Sequence, residues 1–215
     1  MTLTSESHRK HRVFCLSPAN LSGIRARYIL NLNGESDLSC RLRRDGVMLE
    51  ELFSFVSGLY FRGKLAYARA FSMPPPDVSG SFVITATEGL IAPETIVTLD
   101  RLRGWAANDI DASDPRYRAP LDRDCRLLSE KLGDLCDIVL LGSIATPKYV
   151  EPLLQIFLER LLFPVEFVGR GDMSRGGLML RSVEMGKELA YGPVLNAMRR
   201  GPRPPKLSPP HGSRN

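Results

Sequence analysis

The sequence has few of the side chains that bind transition metals or form disulfides. Its three histidines all lie near the ends of the chain, at His8, His11 and His211. The four cysteines form no Cys-x-x-Cys pair and are Cys15, Cys40, Cys125 and Cys136. A zinc site requires a cluster of such ligands, and thiols stay reduced in the cytoplasm. The sequence therefore predicts neither a metal site nor a disulfide.

The sequence also lacks the motifs of membrane proteins and of the common cofactors. No apolar run reaches the ~20 residues that a membrane-spanning helix needs. No apolar segment follows the basic N-terminal residues, as it would in a secretory signal. The Walker A pattern and the dinucleotide-binding fingerprint are both missing. We therefore expect a cytoplasmic protein that has no membrane partner and binds no cofactor.

Acidic residues are absent from the last part of the chain. The net charge is +5, of which residues 198–215 carry +5 and residues 1–12 carry +2, so the body between them carries −2. We predict a flexible basic N-terminus over residues 1–12, a single α/β domain over 13–197, and a disordered, basic, proline-rich tail over 198–215. Attraction for nucleic acid would come from the basic ends, although a merely solvated tail explains the same charge.

Short apolar segments alternate with helical patterns along the body. Residues 13–16, 82–84 and 137–141 read as buried strands. Helices are predicted over residues 23–30, 38–44, 48–56, 59–71, 98–105, 120–132 and 150–162. The helix over 59–71 ends before Pro74, and the one over 120–132 ends at Gly133. This alternation predicts an α/β fold with a mainly parallel or mixed central sheet and helices on both faces.

The C-terminal part of the body permits two interpretations. Residues 165–168 resemble a fourth strand, and residues 178–180 and 188–191 flank Met185-Gly186 as a terminal hairpin would. A helix that begins near Asp172 is the alternative. We predict the C-terminal hairpin and leave the helix open.

Polar loops follow each of the three predicted buried strands. These loops contain small residues, hydroxyl groups and one lysine. They are candidate binding loops because ligands of open α/β sheets bind beyond the carboxyl ends of the strands. Helix starts in such loops favour anions, although caps and tight turns require the same residue types. The candidate ligand-binding residues here are Ser17, Asn20, Thr87, Gly89, Gly142, Ser143, Thr146, Lys148 and Tyr149.

Two further segments combine cations with other binding side chains. A helix start at residues 57–64 carries Tyr60, Arg62 and Lys64, which suit stacking or anion contact, although solvent exposure of the two cations is equally consistent. The glycine-rich segment 169–177 carries Arg170, Ser174 and Arg175, whose guanidinium groups suit a phosphate or carboxylate. A plain linker is the alternative for the second segment.

Carboxylates are the remaining candidates for acid–base chemistry. Glu88 stands at a strand end between small residues, and Asp172 lies in the glycine-rich segment; we predict both as candidate catalytic residues. The acidic loop with Asp109 and Asp111 is a weaker candidate. A serine–histidine–acid triad is excluded within the body, because the body contains no histidine.

Five short motifs follow one another along the chain. Leu-Ser-Pro-Ala occurs at residues 16–19, Ser-Gly-Leu-Tyr at 57–60 with Thr-Glu-Gly-Leu-Ile-Ala-Pro at 87–93, Gly-Ser before Lys148 and Tyr149, and Gly-Asp-Met-Ser-Arg at 171–175. Their order resembles the YaaA-type peroxide-stress proteins and related small bacterial domains. Asn20 stands where that family has a lysine, and Asp172 where it has an apolar residue.

The resemblance implies an α/β fold distantly related to uracil-DNA-glycosylase-like domains, and a role near DNA protection, iron handling or nucleobase chemistry. It favours a stress-related protein that binds a nucleotide, nucleobase or nucleic acid through its strand-end loops. Two alternatives stay open. One is an enzyme that processes nucleosides or nucleotides, such as an N-glycosidase, and the other is an interaction protein that docks a partner through its basic tail.

Overall fold

A six-stranded mixed sheet forms the centre of the protein. The computed structural model describes residues 11–31 and 34–205, so the predictions for residues 1–10 and 206–215 lie outside the described chain. The strands of this part are β1 (His11–Leu16), β2 (Val47–Met48), β3 (Ser81–Ile84), β4 (Leu90–Ile91), β5 (Ile96–Val97), β6 (Cys136–Leu141), β7 (Leu161–Pro164) and β8 (Tyr191–Pro193). Their order in the main sheet is β4-β3-β1-β6-β7-β8.

The middle of the sheet is parallel and its edges are antiparallel. Strands β3, β1, β6 and β7 run in the same direction, while β4 and β8 run against their neighbours. Strands β2 and β5 pair separately as a short antiparallel ladder. The predicted α/β class with a mixed sheet is therefore confirmed.

Eight α-helices cover the sheet in the part of the chain described. They are α1 (Ile24–Leu30), α2 (Asp37–Arg44), α3 (Leu49–Ser57), α4 (Leu59–Phe71), α5 (Leu99–Ala106), α6 (Pro115–Leu132), α7 (Pro147–Phe157) and α8 (Asp172–Glu184). Helix α5 is capped by Thr98, whose hydroxyl accepts a hydrogen bond from the Arg101 backbone N–H. None of these helices is long and apolar enough to cross a membrane.

The alternation of side chains along the central strands builds two cores. In β1, Phe14 and Leu16 pack with α3, α4 and α8, whereas Val13 and Cys15 pack with α6 and α7 on the opposite face. All four side chains are fully buried. Such continuous apolar strands are typical of parallel sheets that are covered on both sides, as the sequence predicts.

The predicted C-terminal hairpin is wrong. Residues 172–184 form helix α8, the alternative that the sequence left open, and the predicted strand at 165–168 is a single 3-10 turn over Val165–Phe167. The buried positions of α8 recur every three or four residues, at Arg175, Gly176, Met179 and Ser182. This spacing places them on one helical face against α4, which the local apolar run at 178–180 does not reveal.

Several other boundaries differ from the prediction. Helix α6 begins at Pro115, because the Asp114 carboxylate caps it through the Arg116 backbone N–H at 2.8 Å. Helix α7 ends at Phe157, and β7 follows after a 3-10 turn. The sequence analysis also missed β2, β4 and β5, each only two residues long. Strands this short have too few residues to show an alternating pattern.

Candidate functional site

A cleft of about 500 Å³ opens beyond the carboxyl ends of β1, β3 and β6. The loop after β1 contributes Ser17 and Asn20, the turn after β3 contributes Thr85, and the loop after β6 contributes Ser143. Other lining residues come from helices and their connections and are Ser22, Phe53, Ser57, Tyr60, Trp105, Asn108, Asp109, Ile110, Lys148, Tyr149 and Asp172. The structure therefore joins segments that lie far apart in the sequence into one polar cavity.

Lys64 contacts Ser17, one of the residues that line the cleft. Its side chain is fully buried, and its Nζ donates a hydrogen bond to the Ser17 carbonyl oxygen and lies 3.0 Å from Ser17 Oγ. Ser17 Oγ is also 3.3 Å from the Leu141 carbonyl oxygen, so its hydroxyl has two acceptors within reach when the amine is neutral. Helix α4 carries Lys64 and fixes this contact across 47 positions of sequence.

Burial dominates the protonation behaviour of Lys64. Loss of solvation disfavours the ammonium form and lowers the pKa of Lys64 to about 7. The Asp172 carboxylate acts in the opposite direction and the Arg175 guanidinium adds to the lowering. A substantial fraction of neutral amine is therefore present at neutral pH, which is unusual for a lysine.

Tyr60 brings a buried hydroxyl to the cleft. The residue is only 6 % exposed, and among the residues described no hydrogen-bond partner satisfies its hydroxyl. Burial raises the pKa of Tyr60 to about 12, although the nearby Arg175 charge lowers it in part. Lys64 Nζ lies 4.3 Å from the centre of the Tyr60 ring. Buried polar groups are normally hydrogen-bonded, and the Ser17 and Arg175 side chains are the polar groups near enough to this hydroxyl to lower its pKa.

Helix α8 places Asp172 and Arg175 differently. Asp172 lines the cleft, whereas Arg175 is 8 % exposed and donates two hydrogen bonds of 3.2 Å to the Phe167 carbonyl oxygen. Arg175 Nη1 also lies 3.3 Å from Asp172 Oδ1. Arg175 therefore anchors the start of α8, and it holds the Asp172 side chain.

Aromatic rings and one lysine line other parts of the cleft. Trp105, the single tryptophan of the chain, and Tyr149 line the cleft, as Tyr60 does. Lys148 occupies the first turn of α7, with its Nζ 5.0 Å from the centre of the Tyr149 ring. Because the N-terminal end of a helix carries partial positive charge, this part of the cleft favours an anion.

Glu88 does not line the cleft. Residues 85–89 form the turn of a β3–β4 hairpin rather than a strand-to-helix loop, because the Thr85 backbone N–H donates to the Gly89 carbonyl oxygen. The Glu88 carboxylate instead accepts hydrogen bonds from Arg101 Nη2 at 2.6 Å and Trp105 Nε1 at 2.9 Å. Its contacts are those of a structural ion pair that positions Trp105.

We expect Glu88→Gln to lower the free energy of unfolding by only ~0.5–1 kcal/mol, because the ion pair is partly exposed and the amide oxygen still accepts from Trp105. Urea denaturation measures this change. The affinity for a ligand that binds in the cleft, measured by Trp105 fluorescence, is expected to stay within about twofold of that of the unchanged protein. A tenfold loss of affinity at unchanged stability would instead place Glu88 in the binding site.

The remaining predicted residues are divided between structural positions and a second cavity. Gly89 has φ +72°, and a Cβ there would lie 2.2 Å from Asp124 Oδ2. Gly142 packs against Ser17, Thr146 precedes the first turn of α7, and neither Thr87 nor the exposed Arg62 lines the cleft. The second cavity, of about 300 Å³, contains Arg170 and Ser174 together with Arg181, Arg203 and two prolines.

The structure adds cleft residues that the sequence analysis missed. Phe53, Trp105 and Asn108 belong to none of the quoted motifs, and helix packing brings them to the cavity. Ser22 follows β1 in the same loop as Ser17, and Ser57 begins the Ser-Gly-Leu-Tyr motif but was not a candidate. The contact between Lys64 and Ser17 was also missed, since both residues were candidates but in separate segments. The apolar neighbours Phe61, Leu65 and Tyr67 around Lys64 were a usable signal, because they place the lysine on a buried stretch of helix.

Comparison with protein-family models, with curated proteins and with solved structures gives no match for this chain. The resemblance to YaaA-type proteins therefore stays a prediction.

Proposed function

We propose that this protein binds a nucleotide, or a related ligand that carries a nucleobase, in the cleft. The position of the cleft is the first support. Strand β1 pairs with β3 on one side and with β6 on the other, so connections diverge from this point of the sheet. Ligands of open α/β sheets bind at such a point, beyond the carboxyl ends of the strands. Ser17 and Ser143 flank it.

The composition of the lining gives the second support. A nucleobase needs a planar apolar contact together with hydrogen-bond partners at its edge. The aromatic side chains of Tyr60, Trp105 and Tyr149 line the cavity and are 2–6 % exposed, while Asn20 and Asn108 contribute amides, which contain both donors and an acceptor. The volume of about 500 Å³ lies in the range of small-molecule sites, ~300–1,000 Å³.

The charge distribution favours a phosphate at one end of the cleft. Lys148 and the first turn of α7 supply positive charge near Ser143, and the carboxylates of Asp109 and Asp172 also line the cavity. The proposal depends on one observation: aromatic side chains, amides and the positively charged start of helix α7 line the same cavity. A stress-related role rests only on the family resemblance.

Trp105 fluorescence tests the proposal directly, because the chain has no other tryptophan. We expect adenosine 5′-monophosphate to quench or shift the emission with a saturable dependence, and adenosine to bind more weakly. Lys148→Met is expected to reduce the affinity for the monophosphate about 10-fold or more and that for adenosine little, because only the phosphate contact is charged. Lys187→Met, at an exposed lysine outside the cleft, is the matched control.

Two outcomes would overturn the proposal. One is the absence of binding by any of the common nucleotides at millimolar concentration, with calorimetry as a second readout. The other is equal loss of affinity in the Lys148 and Lys187 variants. A nucleic-acid ligand is separated from a free nucleotide by salt, since affinity that depends on many phosphate contacts falls steeply as salt rises.

A further inference from the structure

Among the residues that the structure describes, no carboxylate forms an ion pair with Lys64, although a buried lysine ordinarily requires one. The Asp172 carboxylate acts on the pKa of Lys64 but pairs with Arg175. The polar contacts of the amine are both to Ser17, one to the carbonyl oxygen and one to the hydroxyl at 3.0 Å. Burial of an unpaired ammonium is strongly unfavourable, so a lysine in this position is costly to the fold. Such an arrangement is typical of a functional amine.

We propose that Ser17 and Lys64 form a nucleophile–base pair, and that the protein hydrolyses a small carboxylic ester or thioester in the cleft. The geometry carries this inference. Ser17 is one of the residues that line the cleft, and the Lys64 amine lies 3.0 Å from Ser17 Oγ, within the distance that a general base needs. Serine–lysine pairs replace serine–histidine–acid triads on unrelated folds.

The hydrogen-bond inventory of Lys64 fits the role. A neutral amine has two N–H donors and one lone pair. One N–H donates to the Ser17 carbonyl oxygen and holds the amine in place. In the neutral amine the lone pair is then able to accept the proton of the Ser17 hydroxyl, 3.0 Å away, which otherwise donates to the Leu141 carbonyl oxygen. The lowered pKa of Lys64, about 7, makes this neutral form accessible at neutral pH.

The reaction proceeds in two balanced halves. Ser17 Oγ attacks the acyl carbon of the substrate, and its proton passes to Lys64 Nζ. The bond from the acyl carbon to the leaving oxygen or sulfur breaks, and the Lys64 ammonium returns the proton to that leaving group. Water then attacks the acyl-serine ester and gives its proton to Lys64, and the Ser17 oxygen takes this proton as it leaves. The products are a carboxylic acid and an alcohol or thiol.

Tyr60 supplies the group that stabilises the intermediate. Tyr60 lines the same cavity as Ser17, and its buried hydroxyl has no hydrogen-bond partner among the described residues. A tetrahedral intermediate places negative charge on the former carbonyl oxygen, and a hydroxyl that is already desolvated stabilises this charge without reorganisation. The Ser17 and Arg175 side chains lie close enough to influence the pKa of Tyr60.

This inference does not depend on nucleotide binding, although both use the same cleft. An acyl-transfer activity without nucleotide affinity, or nucleotide affinity without a reactive serine, is a distinct experimental result. The two proposals are therefore tested separately, the first with covalent probes and the second with Trp105 fluorescence.

A fluorophosphonate probe tests the nucleophile. Attack by Ser17 Oγ on phosphorus expels fluoride and adds a mass that peptide sequencing assigns to one residue. We expect labelling at Ser17 in the unchanged protein and none at that position in Ser17→Ala. Ser113→Ala, at an exposed serine outside the cleft, is the matched control and is expected to label like the original. Labelling that is absent, or that ignores Ser17→Ala, would overturn the proposal.

The pH dependence tests the base. Between pH 5 and about 6.5 the labelling rate is expected to rise nearly tenfold per pH unit, and then to become constant above the pKa of Lys64, about 7. The other charged or titratable groups near the amine are Asp172, Arg175 and Tyr60, and burial raises the pKa of Tyr60 to about 12. A rate independent of pH from 5 to 8 would contradict a lysine base.

Lys64→Met removes the base while keeping an unbranched apolar side chain. We expect its labelling rate to fall by ~100-fold or more, and circular dichroism establishes that the variant is folded. Tyr60→Phe gives an independent readout, with a slower hydrolysis of 4-nitrophenyl acetate and an unchanged pH midpoint. If Lys64→Met does not fold, the pH profile of the original protein still decides the proposal.

Discussion

Gly176→Ala is expected to lower the free energy of unfolding by ~2–3 kcal/mol, because it forces α4 and α8 apart. A Cβ at Gly176 would lie 2.8 Å from the Leu59 carbonyl oxygen and 2.9 Å from Tyr60 Cα. The opposite glycine, Gly63, has its own Cβ position 2.8 Å from the Gly176 carbonyl oxygen. The obstacles are backbone atoms, which cannot move aside as a flexible side chain does. Urea denaturation measures the loss.

The matched control is Gly104→Ala in α5. This glycine is also helical, but a Cβ there would meet nothing within 4 Å. Alanine has the higher helix propensity, so Gly104→Ala is expected to stabilise the protein by up to ~1 kcal/mol. If both substitutions change stability by the same amount and sign, then helix propensity and not the close helix crossing determines the effect.

The helix crossing matters for the site because both helices carry cleft residues. Helix α4 carries Tyr60 and Lys64, and α8 carries Asp172 and Arg175. A displacement of α8 by even a fraction of an ångström changes the surroundings of Lys64. Gly176→Ala is therefore expected to slow labelling of Ser17 as well as to reduce stability, whereas Gly104→Ala is expected to leave labelling unchanged.

We also expect Lys64 to make the free energy of unfolding increase as pH rises. The pKa of Lys64 is about 7 in the folded state and near 10.5 when solvated. Between these values the unfolded chain binds more protons than the folded one, so the free energy of unfolding increases as pH rises. The contribution from about pH 7 to 8.5 is on the order of 2 kcal/mol.

The measurement is the difference between the original protein and Lys64→Met at several pH values in this window. Lys64→Met is expected to lack the rise, while Lys187→Met, at an exposed lysine, is expected to keep it. The window stops near pH 8.5 because burial raises the pKa of Cys15 and Cys125, whose titration in the unfolded chain lowers stability at higher pH. Parallel pH curves for the original and Lys64→Met would refute a neutral buried amine.

The sequence was most informative where local pattern and tertiary environment agree. The apolar run of β1 and the helical spacing of α4 were both predicted, and Pro74 fixes the end of α4 because proline cannot continue a helix. In helix α8 the local pattern and the tertiary environment disagree. Its glycines look like a linker in the sequence, yet Gly176 is needed because α4 approaches too closely for any side chain.

The residues of the candidate site were likewise predicted correctly in some cases and wrongly in others. Ser17, Ser143 and Lys148 follow directly from the rule that ligands bind beyond the ends of parallel strands, and they line the cleft. Glu88 satisfied the same rule but lies in a hairpin turn, because β4 returns antiparallel beside β3. The direction of a two-residue strand is not encoded in any local periodicity.

The sequence by itself determined the α/β class, the buried central strands and the polar loops that follow them, because hydrophobic periodicity and turn residues act over a few neighbouring positions. Only the tertiary structure decided that Lys64 reaches Ser17 and that Glu88 turns to Arg101 and Trp105. Those contacts depend on how whole helices pack against the sheet. Such packing is set by side-chain and backbone volumes from segments that are remote in the chain.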